Sequence, residues 1–267
     1  MRKIVVILTI VAMVCSCGDI FEYHPFDGRI DGEKNINKKH IASIEEACKD
    51  KPVIKFVMLS DTHRHYDETQ AFVNEINKRT DIDFVIHGGA ITDLGATKEY
   101  VWMRDIMSKL KVPYVALIGN HDCLANGEDV FKTVYGDTNF SFMAGSIKFV
   151  CLNTNAQMYD YSENVPDFGF MEDEFKKTPV EDEKTIFVMH AAPFSGQFNN
   201  NVSRVFHRFI KEFPQLQFCL NGHDHETTTA DLFEDGVIYY GCPDISQKTY
   251  LEFTVSKEGY KYEAVVY

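Results

Sequence analysis

YVALIGNHD, Tyr114 to Asp122, places five apolar residues before a glycine and then three polar side chains in succession. The apolar run, with β-branched Val115 and Ile118, reads as a short buried strand. Gly119 ends it where the chain can bend without a side chain in the way. The bend presents an amide, an imidazole and a carboxylate at the strand's carboxyl end, where ligand sites of α/β sheets gather. Gly-Asn-His-Asp is expected by chance in about one chain per thousand of this length.

The same arrangement recurs on both sides of this stretch. Ile54–Leu59 leads into Ser60-Asp61-Thr62-His63, and Phe84–Ile86 into His87-Gly88-Gly89-Ala90. Thr185–Met189 ends at His190, and Phe218–Leu220 leads into Asn221-Gly222-His223-Asp224-His225. Further strands are expected at Ile147–Leu152, Val237–Tyr240 and Leu251–Val255. Helical spacing predicts Glu68–Arg79, Lys98–Leu110 with Thr97 as N-cap, and a third helix around Val202–Phe213. Alternating strands and helices argue for α/β layers, and the aromatic C-terminal strands for a second sheet packed on the first. Each polar cluster alone reads as a cap, a core histidine or a loop. Together they bring Asp, Asn and several His to one rim, a donor set suited to borderline divalent metals.

In this order, D-x-H, a glycine turn, GNHD, a lone His and G-H-x-H resemble the calcineurin-like metallophosphoesterase superfamily, over roughly Val53 to His225. The resemblance implies an α/β fold in which two mixed β-sheets pack as a sandwich flanked by helices. It implies hydrolysis of a phosphomonoester or phosphodiester with two divalent transition metal ions (Fe, Mn or Zn). By matching motif positions, Asp61, His63 and His225 would hold one metal, and Asn120, His190 and His223 the other. His121 would donate a proton to the leaving group, with Asp122 orienting it. Two metals about 3.5–4 Å apart clamp a phosphoryl group and lower the pKa of a water between them.

One position departs from that pattern. The family's glycine turn carries an Asp that bridges both metals, and here the residue is Ala90. Asp93 is the nearest carboxylate but matches a separate family position. Two cations sharing one protein carboxylate would repel each other with little offset, so the second ion is expected to be weak or absent and turnover reduced. The alternative is an inactive lipid-anchored protein that uses the remnant site to hold an anionic or phosphorylated ligand. Pro193–Arg208, with Phe194, Phe198, three consecutive Asn, Arg204, His207 and Arg208, follows His190 and could overhang the site. Arg204 or Arg208 would then contact a phosphate oxygen; the competing reading is an ordinary solvated helix charge.

The chain has 267 residues and a formal charge of −13, which argues against non-specific grip on a nucleic-acid backbone. Arg2 and Lys3 precede the apolar run Ile4–Val14, too short for a membrane span but fitting a secretory signal. Cys17 follows small residues as in a bacterial lipobox. The expected organisation is a signal peptide over 1–16, a lipid-anchored tether and entry segment over 17–51, and the phosphoesterase-like domain over 52–267. This implies a monomer held at the membrane of a bacterial cell envelope by its N-terminal lipid. Cys48, Cys123, Cys151, Cys219 and Cys242 show no spacing that indicates a disulfide framework.

Overall fold

The computed structural model describes residues 29–178 and 184–267; the expected signal segment 1–16 and Cys17 lie outside the described residues. Strand β1 (Val53–Leu59) shows how the layers arise. Phe56 and Met58 point into an apolar cluster between two sheets, while Val57 and Leu59 point into another beneath the helices. A strand buried on both faces reads as an unbroken apolar run, which is how the sequence VIKFVML looks. Phe56 stacks between Phe84 and Phe253, each 5.3 Å away, and meets Phe149 edge-on at 5.1 Å. Such aromatic pairs add to area burial and lock the first sheet to the second.

The first sheet has the order β11-β10-β1-β2-β3. Strands β1, β2 (Phe84–His87) and β3 (Tyr114–Ala116) run parallel, and β10 (Thr249–Ser256) and β11 (Gly259–Val266) complete it antiparallel. The second sheet has the order β4-β5-β6-β7-β9-β8. Here β5 (Ile147–Leu152), β6 (Lys184–Met189), β7 (Leu216–Asn221) and β9 (Tyr239–Gly241) are parallel. The edges β4 (Phe140–Ala144) and β8 (Thr228–Ala230) are antiparallel to their neighbours. The expected sandwich of two mixed sheets is the observed fold. Register aligns the parallel strands at their carboxyl ends: Leu59 pairs with His87, and Leu152 with Met189. The loops that follow therefore start side by side.

The helices are α1 (Ile36–Cys48), α2 (Tyr66–Ile76), α3 (Thr97–Met107), α4 (Gly127–Val134), α5 (Phe168–Lys177) and α6 (Ser203–Ile210). Two sequence expectations need correction. The entry segment expected within residues 17–51 packs into the domain as α1, which buries Ile36, Ile44 and Cys48 in the cores. Its Asn37 amide donates to the Ala116 carbonyl (2.8 Å) and its Oδ1 accepts from the Ala116 N–H (2.9 Å), which satisfies the edge of β3. The domain thus begins before residue 52. Thr97 is not the N-cap of α3: Ala96 holds that place, and the Glu99 carboxylate accepts from Leu94 and Ala96 N–H groups instead. All five described cysteines are free thiols.

Candidate metal centre

Five strand-end loops deliver the polar clusters, and three of them hold backbone in a conformation that side chains rarely adopt. Asp61, His63, Ala90, His223 and His225 have φ values from 44° to 70°. Left-handed backbone in residues other than glycine concentrates where surrounding structure over-determines it, commonly at functional sites. Here cross-loop hydrogen bonds do so. Asp61 N–H donates to the Gly89 carbonyl (3.0 Å), His63 N–H to the Ala90 carbonyl (3.2 Å), and Ile245 N–H to the Asp61 carbonyl (3.5 Å). Gly89 must lack a side chain, since a Cβ there would lie 2.7 Å from His190 Nδ1.

Asp61 is the centre of the arrangement. Its Oδ1 lies 3.3 Å from His225 Nε2 and 3.8 Å from Nε2 of both His63 and His190. Its Oδ2 accepts the His223 N–H at 3.0 Å. Burial works to raise this carboxyl, but the neighbouring His190, His225 and Ser60 outweigh it and hold Asp61 well below the usual carboxylate range. The group is therefore ionised.

The imidazoles are oriented from behind. His190 Nδ1 faces the Gly88 carbonyl at 2.8 Å and His63 Nδ1 faces the Thr92 carbonyl at 3.1 Å. A carbonyl only accepts, so each ring keeps its proton on Nδ1 and turns an Nε2 lone pair to the site. Burial lowers the pKa of His63, His190 and His223, which keeps them neutral as metal ligands must be. His225 moves the other way: its bond to Asp61 raises it. His190 Nε2 meets Asn120 Oδ1 at 2.9 Å, and the His223 ring lies 5.4 Å from the His190 ring. In this orientation of Asn120 two acceptors face each other, an arrangement that a shared cation favours. Carbonyl-backed histidines around one carboxylate are a donor set that fits divalent metals.

The structure brings Asp61, His63 and His225 into one group of possible ligand atoms within 4.8 Å of one another. A second such group joins His63, Asp93 and His121. There the rings turn their Nδ1 edges to Asp93, 3.9 Å away, and both edges already face the Thr92 and Asp93 carbonyls. Asp93 thus lies across the His63 ring from Asp61 and pairs with Arg64, so it does not stand in for the missing bridge.

Ala90 is fully buried, with φ 52°. A Cβ on Gly119 would come within 2.0 Å of Ala90 N, which puts Ala90 at the seam between the Asp61 and Asn120 loops. Asp and Asn adopt this backbone more readily than Ala.

Two sequence-derived roles change. Asp122 does not orient His121. Its oxygens accept from Ile91 N–H (3.0 Å), Thr92 N–H (2.9 Å), Gly119 N–H (2.9 Å) and Thr92 Oγ1 (2.8 Å), which staples the two loops together. His121 is held instead by the Asp93 carbonyl, 2.8 Å from Nδ1, and rests edge-on against His63 with ring centres 4.5 Å apart. Arg204 and Arg208 do not join the cluster. They line a separate depression with His207, Lys211, Phe233 and Asp235 on the flank formed by α6.

Three supporting residues were not read from the sequence. His87 is fully buried, with Nε2 2.9 Å from Thr62 Oγ1 and Nδ1 accepting from Gly89 N–H. Thr154 Oγ1 accepts from Ala191 N–H, and Asn155 Nδ2 donates to the Ile118 carbonyl. The signal for the last two was polar Asn153-Thr154-Asn155 directly after a buried strand.

The sequence model of the family described as calcineurin-like phosphoesterase matches residues 54–227, more than half of the chain. The uncharacterized protein YvnB of Bacillus subtilis is 24% identical over 229 residues, covering 75% of this chain and 18% of its own. A probable cyclic nucleotide phosphodiesterase of Xenorhabdus bovienii is 31% identical over 68 residues, covering 26% of this chain and 28% of its own. The chain thus spans less than a third of either relative. A dimetal phosphatase from Danio rerio shares the fold, with TM-score 0.60 and 11% identity over 81% of this chain and 100% of that one.

Proposed function

Since the chain belongs to the calcineurin-like phosphoesterase family, we propose that it is a metal-dependent hydrolase of phosphomonoesters or phosphodiesters whose turnover is reduced by Ala90. The observation that carries this reading is the convergence of three histidine Nε2 atoms on Asp61 Oδ1 within 3.8 Å. Asp61, His63 and His225 would hold one divalent ion. Asn120, His190 and His223 would hold a second more weakly, because that group contains no carboxylate. Bound there, such ions supply Lewis-acid polarisation of a phosphoryl oxygen and a water of lowered pKa. The chain's own part is positioning and proton transfer. The Gly88 and Thr92 carbonyls fix the tautomers of His190 and His63. His121 is pinned at Nδ1 by the Asp93 carbonyl, and as the imidazolium it would hand its Nε2 proton to the leaving oxygen, keeping the Nδ1 proton on that carbonyl.

Ala90 favours a second reading, a protein that binds a phosphorylated or anionic ligand without turning it over. Ala90→Asp separates the two. On the enzyme reading it raises kcat/KM on aryl phosphates by about 10²–10³ and adds a tightly held metal, measured by elemental analysis beside a phosphatase and phosphodiesterase screen. Unchanged turnover in the variant favours the binding protein. Two tightly held ions in the unaltered chain would overturn the proposed effect of Ala90.

A further inference from the structure

The depression on the flank of α6 is set apart by its charge. Arg204, Arg208 and Lys211 recur at spacings of four and three residues, so they share one face of α6 and its C-cap. They line a cavity of about 460 Å³ whose other side is formed by Phe233 and Asp235, with Glu212 also on the lining. The wall of this cavity is fixed. His207, 4% exposed, lies stacked against Phe233 with ring centres 3.8 Å apart. Its Nε2 meets Asp235 Oδ2 at 3.0 Å and its Nδ1 the Tyr239 hydroxyl at 3.0 Å. Lys211 bonds the same Asp235 oxygen and is the main cause that lowers this carboxyl to about 2. Asp235 is thus already shared by two donors.

The two exposed arginines have no such partner. Among the described residues neither guanidinium forms an ion pair or a hydrogen bond, with Glu212 or any other group. Ordinary helix electrostatics accounts for Arg208 and Lys211, since cations are favoured at a helix C-terminus. It does not account for Arg204. That side chain stands in the first turn, where the helix field disfavours a cation, and α6 has neither an acidic residue there nor a side-chain cap. It also faces a like charge one turn on, at Arg208. An anion seated in the cavity would offset both costs.

We propose that the α6 depression binds a small phosphate-bearing anion, a diphosphate by preference, at a site separate from the metal centre. Guanidinium forks bond phosphate oxygens in pairs. Two forks one turn apart, about 5–6 Å between their Cβ atoms, match two linked phosphoryl groups, with Lys211 as a third donor. Asp235 and Glu212 on the lining and the formal charge of −13 disfavour an anionic membrane surface, so a small ligand fits better.

Methylenediphosphonate is a suitable probe because its bridge is not hydrolysed, and calorimetry reads its binding to the full chain. Phosphonates also bind metal ions, so the measurement is repeated in Asp61→Asn and in the unaltered chain after dialysis against EDTA. One diphosphonate site should persist in both. On either background Arg204→Gln and Arg208→Gln should each weaken it about tenfold or more, and together abolish it. Arg204→Lys, which keeps the charge without the fork, should fall between, and methylphosphonate should bind about tenfold more weakly than the diphosphonate. The melting temperature of Arg204→Gln should stay equal or rise, because a like-charge contact is removed; a fall would assign Arg204 a structural role and overturn the proposal. Loss of all diphosphonate binding on both metal-depleted backgrounds would assign the anion to the metals and overturn the site, as would binding untouched by the arginine variants. Co-sedimentation with phosphatidylglycerol vesicles, lost in Arg204→Gln while the diphosphonate does not bind, would overturn the small ligand in favour of a lipid headgroup. None of these readings depends on turnover at the metal centre.

Discussion

On one side of Asp61, His63 and His225 turn Nε2 atoms toward a buried, ionised carboxylate at 3.8 and 3.3 Å. On the other, Asn120 and His190 meet each other at 2.9 Å with His223 alongside, and the group contains no carboxylate. The two halves are equally well supported from behind by backbone carbonyls, and they differ in charge. Among the described residues, the carboxylate oxygen that reaches toward both is Asp61 Oδ1, as far from His190 as from His63. The lesson is that ligand geometry and charge balance are separable. A scaffold can hold every ring in place while one half of the site, Asn120, His190 and His223, contains no carboxylate.

The largest expected effect tests what joins the halves. Asp122 accepts from the Ala90-side loop through Ile91 and Thr92 and from the Asn120 loop through Gly119. Asp122→Ala leaves those buried donors without a partner and should cost about 3–5 kcal/mol in urea unfolding. Were Asp122 merely an orienter of His121, stability would be unchanged. Next comes the charge asymmetry itself. Asp61→Asn should weaken metal binding roughly 100-fold or more, and distinctly more than His190→Ala, as read by metal titration. Equal losses would mean that the two halves share charge in some other way.

The smallest effect concerns the glycine turn beneath Ala90. Burial drops the His87 pKa from its ordinary value of 6.5 to about 3. Its Nε2–H donates to Thr62 Oγ1, whose own O–H donates to the Ile91 carbonyl, and its Nδ1 accepts from Gly89 N–H. Protonation at Nδ1 would break that last bond. Between about pH 3 and pH 6.5 the unfolded chain holds a proton that the folded chain does not, so stability falls as pH falls through that window. His87→Asn should flatten the slope of unfolding free energy against pH by up to about 1.4 kcal/mol per unit. An unaltered slope would show that His87 already carries its proton in the fold.

Much of the fold was legible because strands such as β1, β2, β5 and β6 are buried on both faces, which forces continuous apolar runs. Strand β11 was not, since its residues alternate between half-buried and exposed along a sheet edge and GYKYEAVV carries no such run. Helix α1 lies in the stretch expected to be tether and entry segment because its first turn is polar, and Asn37 is buried only through its exchange with Ala116, 79 positions away. Helices α4 and α5 also went unread.

For the site, the chain alone determined which donor types stand after which strands, because a parallel sheet sends every strand's carboxyl end to one rim. The family resemblance carried by those clusters implies a carboxylate where this chain has Ala90. Tertiary structure alone decided direction: that Asp93 sits across the His63 ring from Asp61, that Asp122 staples two loops, and that Arg204 and Arg208 line the α6 flank. Side-chain direction depends on left-handed loop backbone and on hydrogen bonds between residues far apart in sequence, such as Asp61 with His223, and neither leaves a mark in local spacing.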